Sequence, residues 1–463
     1  MNGKTAAQFI GEYAAARRFD ELSELTITRA RQVMLDHFGV TLGGIQSELG
    51  QRAADYAAQM HRGDDATIIG DGRRSTLEGA TWANAVTGKA MGMDDSHRGA
   101  GHVASELVPV ALAIGENYRL SGEQVITALA VGYDVMEMIQ MAVDAWQRER
   151  GHDHKGQAGT MASAVTAAVA MGLPADQIAH ALALSMDMAC GTEQYVYDAG
   201  ACDTKDLLAA YGAQNGIASA KMAEFGFRGP PGALDGEYGY FHAFGPGYDP
   251  AFLDRLDGEA LARTGFKPHA GCRHVHSCVD ATQTLLQSGQ PNLDAITGIE
   301  IDTYHEAITP SFRVNYDPQT LGQASFSLPV TVSVILTRGR WFSEDIATYD
   351  DPEQRRLRQL VEVGLDEAIQ AEHPAKNGCE VRIRTNDGQL YRGRVEHAKG
   401  EPENMLTDAE FEKKFHHMAG DLLPETQTAE LLDGISRLEV LADVGELVRL
   451  SVPQPEANRL VLK

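Results

Sequence analysis

Residues 379–423 read CEVRIRTNDGQLYRGRVEHAKGEPENMLTDAEFEKKFHHMAGDLL, and this stretch changes character halfway. Its first part is two β-rich runs joined at Asp387-Gly388, a hairpin signature. Thr407 then precedes Glu410 by three residues, the spacing of a capping box that opens the helix LTDAEFEKKFHHMAGDLL (406–423). A strand-bearing segment therefore hands the chain back to helix near Leu406. Upstream of the hairpin, ITGIEIDTYHEAI (296–308) and FSLPVTVSVILTRG (326–339) are rich in β-branched residues and read as strand material. DPEQRRLRQLVEVGLDEAI (351–369) returns to helical spacing.

Before Gly265 the periodicity is helical almost throughout. TRARQVMLDHFGVTLGG (28–44) repeats apolar positions at helical spacing and stops at Gly43-Gly44. His37 lies on its apolar face and reads as a core histidine. Ser121 and Gln124 form a capping box ahead of residues 121–143, and GLPADQIAHALALSMDMACG (172–191) places Pro174 in a first turn. The architecture expected is mainly α with an α+β second domain. Residues 1–265 and 406–463 form a large discontinuous helical domain, and residues 266–405 a smaller α+β lid.

A length of 463 residues gives ample material for such cores. With 40 Lys and Arg against 65 Asp and Glu, the formal charge is −25, which argues against nucleic acid and anionic membranes as partners. Five cysteines without a CxxC pair suit a reduced, cytoplasmic protein rather than a disulfide or zinc framework. The run from Gly156 to Ala175 is free of charge but made of small residues, so it reads as a packed buried helix.

GxGxxG, Walker A, HExxH and GxSxG patterns are absent, which disfavours nucleotide cofactors, metalloproteases and serine hydrolases. Four polar clusters remain. Asp94, Asp95, Ser96, His97, Arg98 and His102 fall within ten residues, directly before an apolar run. His152, Asp153, His154 and Lys155 precede the charge-free helix, where cations oppose the helix dipole. Lys205 stands just before a helix of small residues. Lys267, His269, Arg273, His274 and His276 crowd the inferred domain junction, a favoured place for ligand clefts. Arginine, lysine and several histidines in one cleft suit a ligand with two or three carboxylates, and the histidines can move protons near neutral pH. Asp94, Asp95, His97 and His102 lack a recurrent metal-ligand spacing, and Cys272 and Cys278 with the histidines between them match no zinc pattern.

Residues 66–105 (ATIIGDGRRSTLEGATWANAVTGKAMGMDDSHRGAGHVAS), 267–281 (KPHAGCRHVHSCVDA), 316–330 (YDPQTLGQASFSLPV) and 384–415 occur in an order that resembles the MmgE/PrpD family. That family includes 2-methylcitrate dehydratase, cis-aconitate decarboxylase and iminodisuccinate epimerase. The resemblance implies a homodimer whose chemistry takes place between the two domains without metal or cofactor. By motif position it points to His102, Lys205, His276, His154 and Asp95 as catalytic. Asp94, Ser96, His97, His152, Arg273 and His274 are implied to bind substrate. His152 and His154 flank the family's histidine position, and the choice between them stays open. Gly92 stands where the family carries the first aspartate of D-x-D-D.

The function expected is a cofactor-independent, dehydratase-type lyase that abstracts an α-proton from a small di- or tricarboxylate such as 2-methylcitrate. Epimerisation of an iminodisuccinate-like dicarboxylate, decarboxylation of the cis-aconitate type and non-catalytic carboxylate binding are the alternatives.

Overall fold

Alanine and glycine set how closely the helices of the body approach. The computed structural model describes residues 3–198, 202–309 and 311–454. It opens with α1 (Ala6–Ala16), α2 (Glu24–Gly44), α3 (Glu48–Met60) and α4 (Leu77–Ala90). After a short strand β1 (Asp95–His97) come α5 (Ala104–Tyr118), α6 (Gly122–Arg150), α7 (Thr160–Ala170), α8 (Ala175–Met186) and α9 (Thr204–Glu224). A Cβ added to Gly44 would lie 1.9 Å from the Thr87 carbonyl oxygen, so α2 and α4 touch backbone to backbone. A Cβ on Gly216 would lie 2.3 Å from the Ser163 Cβ, so α9 and α7 do the same.

Ser121 and Gln124 make the expected capping box at α6. Among the described residues α6 is the helix long and apolar enough to cross a membrane, and its apolar window is buried inside the body. The charge-free run is a π-helical turn (Lys155–Gly159) followed by the almost fully buried α7. Pro174 is the residue before α8 rather than part of its first turn. His37 is buried with its Nε2 3.2 Å from the Thr41 hydroxyl, and burial lowers its pKa to about 3. It is a neutral core residue.

The chain leaves the body through β2 (Thr264–Phe266), which pairs antiparallel with β1: Asp95 opposite Phe266, Ser96 opposite Gly265, His97 opposite Thr264. The α/β lobe follows, with α10 (His276–Ser288), β3 (Ile296–Thr303), α11 (Leu328–Arg338), β4 (Val361–Leu365), β5 (Cys379–Thr385) and β6 (Leu390–Val395). Its sheet runs β4-β3-β5-β6, with β3 and β4 parallel and the other pairs antiparallel. The β5–β6 hairpin turns at Asp387-Gly388, where Gly388 takes φ +83°.

Two sequence expectations are corrected here. FSLPVTVSVILTRG forms the helix α11, not a strand. Ser327 caps it, Pro329 sits in its first turn, Gly339 ends it at φ +75°, and Leu328 to Leu336 are all buried. The helix penalty of β-branched residues is only tenths of a kcal/mol each, so burial on every side outweighs it. Residues 351–369 are not one helix. The side chains of Asp351 and Asp366 cap two short helices, Pro352–Arg358 and Glu367–Glu372, with β4 between them beside β3.

The chain then returns to the body as α12 (Asp408–Ala419), α13 (Glu425–Ser436) and α14 (Gly445–Leu450). Thr407 and Glu410 complete the second capping box. α12 and α13 pack on α2, and α14 packs on α5 and α13. Phe411 and Phe415 share a core with Phe38 and Phe266, whereas Val275, Leu285, Ile299, Val332 and Trp341 belong to the lobe's own core. The five cysteines are unpaired.

Candidate active site

Asp94 is the centre around which body and lobe meet. The segment 91–94 follows α4 and passes beneath the lobe's first loop, and Asp94 is 2% exposed. Its Oδ2 lies 2.5 Å from the Lys89 Nζ of α4 and 3.1 Å from His102 Nδ1, and its Oδ1 lies 2.8 Å from the Lys267 Nζ beyond β2. Burial pushes the carboxyl up, but His102, Lys267 and Lys89 overcome that and hold it well below the usual range. Lys267 is drawn down by burial despite Asp94, and Lys89 falls to about 8 for the same reason.

His102 is held from one side. Its Nδ1 lies 2.7 Å from the Asp95 carbonyl oxygen, an acceptor only, so Nδ1 carries the hydrogen and Nε2 keeps the lone pair. Burial lowers its pKa to about 3, with Asp94 opposing, so the ring is neutral at pH 7. The His154 ring lies 6.3 Å from it, and His154 Nε2 is buried without a hydrogen-bond partner among the described residues. Burial and Lys155 lower the His154 pKa to about 4. The close approach rests on Gly101 at φ +77°, where a Cβ would lie 2.1 Å from His154 Nε2. Gly101→Ala therefore displaces His154, and steady-state kinetics should show at least a tenfold loss of turnover in a protein that still folds. Unchanged turnover would remove His154 from the site.

Lys205 is the second residue of α9. Its ammonium bonds Asp206 at 3.2 Å and remains partly exposed. It points toward Gly92, since a Cβ there would lie 4.0 Å from its Nζ. On the lobe side, the Gly271 amide donates to the Gly92 carbonyl at 3.2 Å, which sets the 267–276 loop against the aspartate segment. His276 opens α10, fully buried, with Arg273 Nη1 donating to its Nδ1 at 3.1 Å. That leaves the hydrogen on Nε2. Burial, Arg273 and His269 keep this ring neutral as well.

Other expected site residues take different posts. Asp95 turns its carboxylate to the first amides of α5, Val103 at 3.3 Å and Ala104 at 3.0 Å, and to the Tyr133 hydroxyl. It caps the helix that begins two residues after His102 and so fixes the segment that holds that residue. Burial beside Asp94 raises its pKa to about 7. His97 faces the Ala260 carbonyl at 3.0 Å and the Gly99 amide, on the buried side of the β1–β2 ribbon. Ser96 lies between them in β1, and its hydroxyl makes no hydrogen bond among the described residues. His152 stacks on Trp146 and bonds Gln157, so it does not join His102 as His154 does. His274 bonds the Tyr304 hydroxyl at 2.8 Å, and Arg273 also holds the Lys399 carbonyl and Glu401.

Lys89 and Lys267 were not among the expected ligands. Lys267 stood in the quoted junction cluster. Lys89 left only a weak trace, a lone lysine in the apolar helix before the aspartates.

Three groups offer ligand atoms close enough to share a cation: Asp94, Asp95 and His102; Asp153, His154 and Glu193; His397, Glu401 and Glu403. In the first, Lys89 and Lys267 already bond the central carboxylate. In the second, Lys155 and the Tyr195 hydroxyl bond Asp153. In the third, Arg98 bonds Glu401 and Glu403. A metal ion would have to displace these donors.

The family model described as MmgE/PrpD N-terminal domain matches residues 8–253, and that described as MmgE/PrpD C-terminal domain matches residues 269–439. The chain is 24% identical over 475 residues to a cis-aconitate decarboxylase of Aspergillus terreus, covering 95% of this chain and 94% of that one. It is 24% identical over 471 residues to the cis-aconitate decarboxylase of Mus musculus, covering 96% and 93%. A cis-aconitate decarboxylase-like protein of Aspergillus oryzae is 24% identical over 457 residues, covering 92% of each chain.

Proposed function

The chain belongs to the MmgE/PrpD family, and from that premise we propose that it is a lyase for a small di- or tricarboxylate. Its first step removes a proton from a carbon next to a carboxylate. The observation that carries this reading is His102: Nδ1 committed to a carbonyl, Nε2 free to accept, and the ring neutral. Lys89 and Lys267 share the single Asp94 carboxylate, and Lys205 stands beside them, so ammonium groups are available to an enolate-like charge.

In the step proposed, the C–H electron pair moves into the carboxylate as Nε2 takes the proton. The hydroxyl on the neighbouring carbon then leaves as water with a proton from His154. A bound polyanion raises both imidazole pKa values, and the pair holds one proton between them. The decarboxylases among the relatives favour a second reading with the same residues. There the bond to a carboxyl carbon breaks, carbon dioxide leaves, and the histidine pair's proton goes to the resulting carbanion. Return of the proton to the opposite face would make the protein an epimerase.

Two measurements follow. Because His102 in the free protein is deprotonated above about pH 3, kcat/KM should show no acid limb from it between pH 5 and 7. The free pair binds no proton above about pH 4 while the reacting pair holds one, so kcat/KM should fall with rising pH from about 5, and more steeply above about pH 8, where Lys89 loses its charge. An acid limb near 6.5 that persists in Asp95→Asn, which removes the carboxyl held near 7, would after correction for substrate ionisation mean an ordinary exposed base. The reading also includes activity without metal or cofactor, so EDTA treatment and dialysis should leave kcat/KM unchanged. Loss that zinc or magnesium restores would overturn that part. A cytoplasmic homodimer is the assembly and location proposed, and light scattering tests the former.

A further inference from the structure

A carboxyl that the sequence did not single out stands beside His154. Residues 191–193 run antiparallel to residues 151–153. The Asp153 amide donates to the Gly191 carbonyl at 3.2 Å, the Glu193 amide donates to the Gly151 carbonyl at 2.9 Å, and His152 and Thr192 form a bridge between them. The residue before this segment sits on the π-helical turn, since a Cβ on Gly156 would lie 1.7 Å from the Cys190 carbonyl oxygen. Two residues beyond Glu193, the Tyr195 hydroxyl bonds both Lys155 and Asp153. A backbone held at so many points brings the Glu193 side chain to the histidine. One Glu193 oxygen, one His154 ring nitrogen and one Asp153 oxygen all lie within 4.8 Å of one another.

The two carboxyls of this group differ in their commitments. Asp153 is buried, and its oxygens accept from the Lys155 ammonium, the Tyr195 hydroxyl and the amides of Lys155 and Gly156. Glu193 is half-buried and makes no hydrogen bond or ion pair among the described residues. Burial and the neighbouring Asp153 push its carboxyl above the ordinary value, against Lys155, Arg148 and Arg313. It therefore holds a proton closer to neutral pH than a free glutamate does.

The chemistry proposed above calls for such a group. Both imidazoles are neutral in the free protein, and the reacting pair holds one proton, so His154 must take up a proton in each turnover. Its Nε2 is buried without a partner among the described residues, whereas the side chain of His102 is 23% exposed. Of the two histidines, His154 is the one that needs a carrier.

We propose that Glu193 is the residue through which His154 exchanges its proton with solvent. A solvent or buffer acid protonates the Glu193 carboxylate. The carboxyl O–H bond then breaks as a His154 ring nitrogen takes the proton, and the carboxylate is ready for the next one. An imidazole can take a proton at one nitrogen and give it at the other. Glu193 acts through His154 and not on the substrate, and the inference rests on the lyase reading above.

Glu193→Gln keeps the size of the side chain and removes its titrating proton, while Glu193→Ala opens the space to a small buffer molecule. Turnover of both is measured on the full-length protein near neutral pH at constant ionic strength, with imidazole raised from about 2 to about 200 mM. At low imidazole both variants should turn over at least about tenfold more slowly than wild type. Imidazole should restore Glu193→Ala by at least about fivefold, restore Glu193→Gln less, and leave wild type unchanged. A merely structural role would give no dependence on the buffer.

Variants that match wild type at low imidazole would overturn the inference, and so would a loss that imidazole does not repair. Failure of both variants to fold would make Glu193 a structural residue and overturn it equally. Wild-type protein that turns over none of 2-methylcitrate, citrate, cis-aconitate and iminodisuccinate would refute the lyase reading and the relay with it, whereas the other outcomes refute the relay alone.

Discussion

His102→Gln should lower kcat by about 10²–10⁴-fold, the range for loss of a general base, with KM changed by only a few-fold. Glutamine can still donate an amide hydrogen toward the Asp95 carbonyl, which lies 2.7 Å from Nδ1 in the native protein. It cannot supply the basic lone pair of Nε2. The ammonium groups of Lys89, Lys267 and Lys205 stay in place, so ground-state binding is largely kept. The variant thus separates proton abstraction from carboxylate recognition. A kcat within threefold of wild type would move the base elsewhere, and His276 or His154 would be the next to replace.

The largest effect on stability should come from Asp94→Asn. The aspartate lies buried between two buried ammonium groups, 2.5 Å from one and 2.8 Å from the other. Removing the shared counter-charge leaves both cations without compensation, which costs about 3–5 kcal/mol in comparable buried pairs. Urea unfolding at pH 7 should show a loss of that order. The loss should shrink as pH rises from 7 toward 10. Both lysines already have lowered pKa values, and without Asp94 they fall further, so the folded state sheds their charge before the unfolded chain does.

Adding Lys89→Met to Asp94→Asn should recover part of the stability, since one orphaned charge goes. Turnover should not return, because the negative charge 3.1 Å from His102 Nδ1 is gone. A single variant as stable as wild type would show that Asp94 does not balance the two lysines.

Much of this fold could be read from local spacing, because the physics involved is local. The capping boxes Ser121/Gln124 and Thr407/Glu410 each need only a hydroxyl and a reciprocating side chain three residues on, and both form. The run 326–339 misled for the opposite reason. What makes it helical is burial on all sides by elements distant in the chain, which its β-branched composition does not record.

The same division runs through the site. His97 and His102 stand five residues apart in one polar cluster and look equivalent in sequence. Pairing of Asp95–His97 with Thr264–Phe266 turns His97 toward the Ala260 carbonyl, while His102, beyond the ribbon, meets Asp94. That pairing spans about 170 residues. Lys267 could be seen as part of a basic cluster, but its partnership with Asp94 and Gly92 depends on the same ribbon. That His154 rather than His152 lies beside His102 depends on Gly101, which leaves room for the imidazole to approach.

The claim at the centre of this account is that His102 removes a proton next to a carboxylate of a small polycarboxylate. Proton NMR in heavy water tests it most directly, with wild type and His102→Gln given 2-methylcitrate, citrate, cis-aconitate and iminodisuccinate in turn. The account predicts that wild type incorporates deuterium at a carbon α to a carboxylate, or forms a new alkene, with at least one of the four, and that His102→Gln does so at least 100-fold more slowly. Exchange or elimination at the same rate in both proteins, or none in wild type with a ligand that binds, would contradict it.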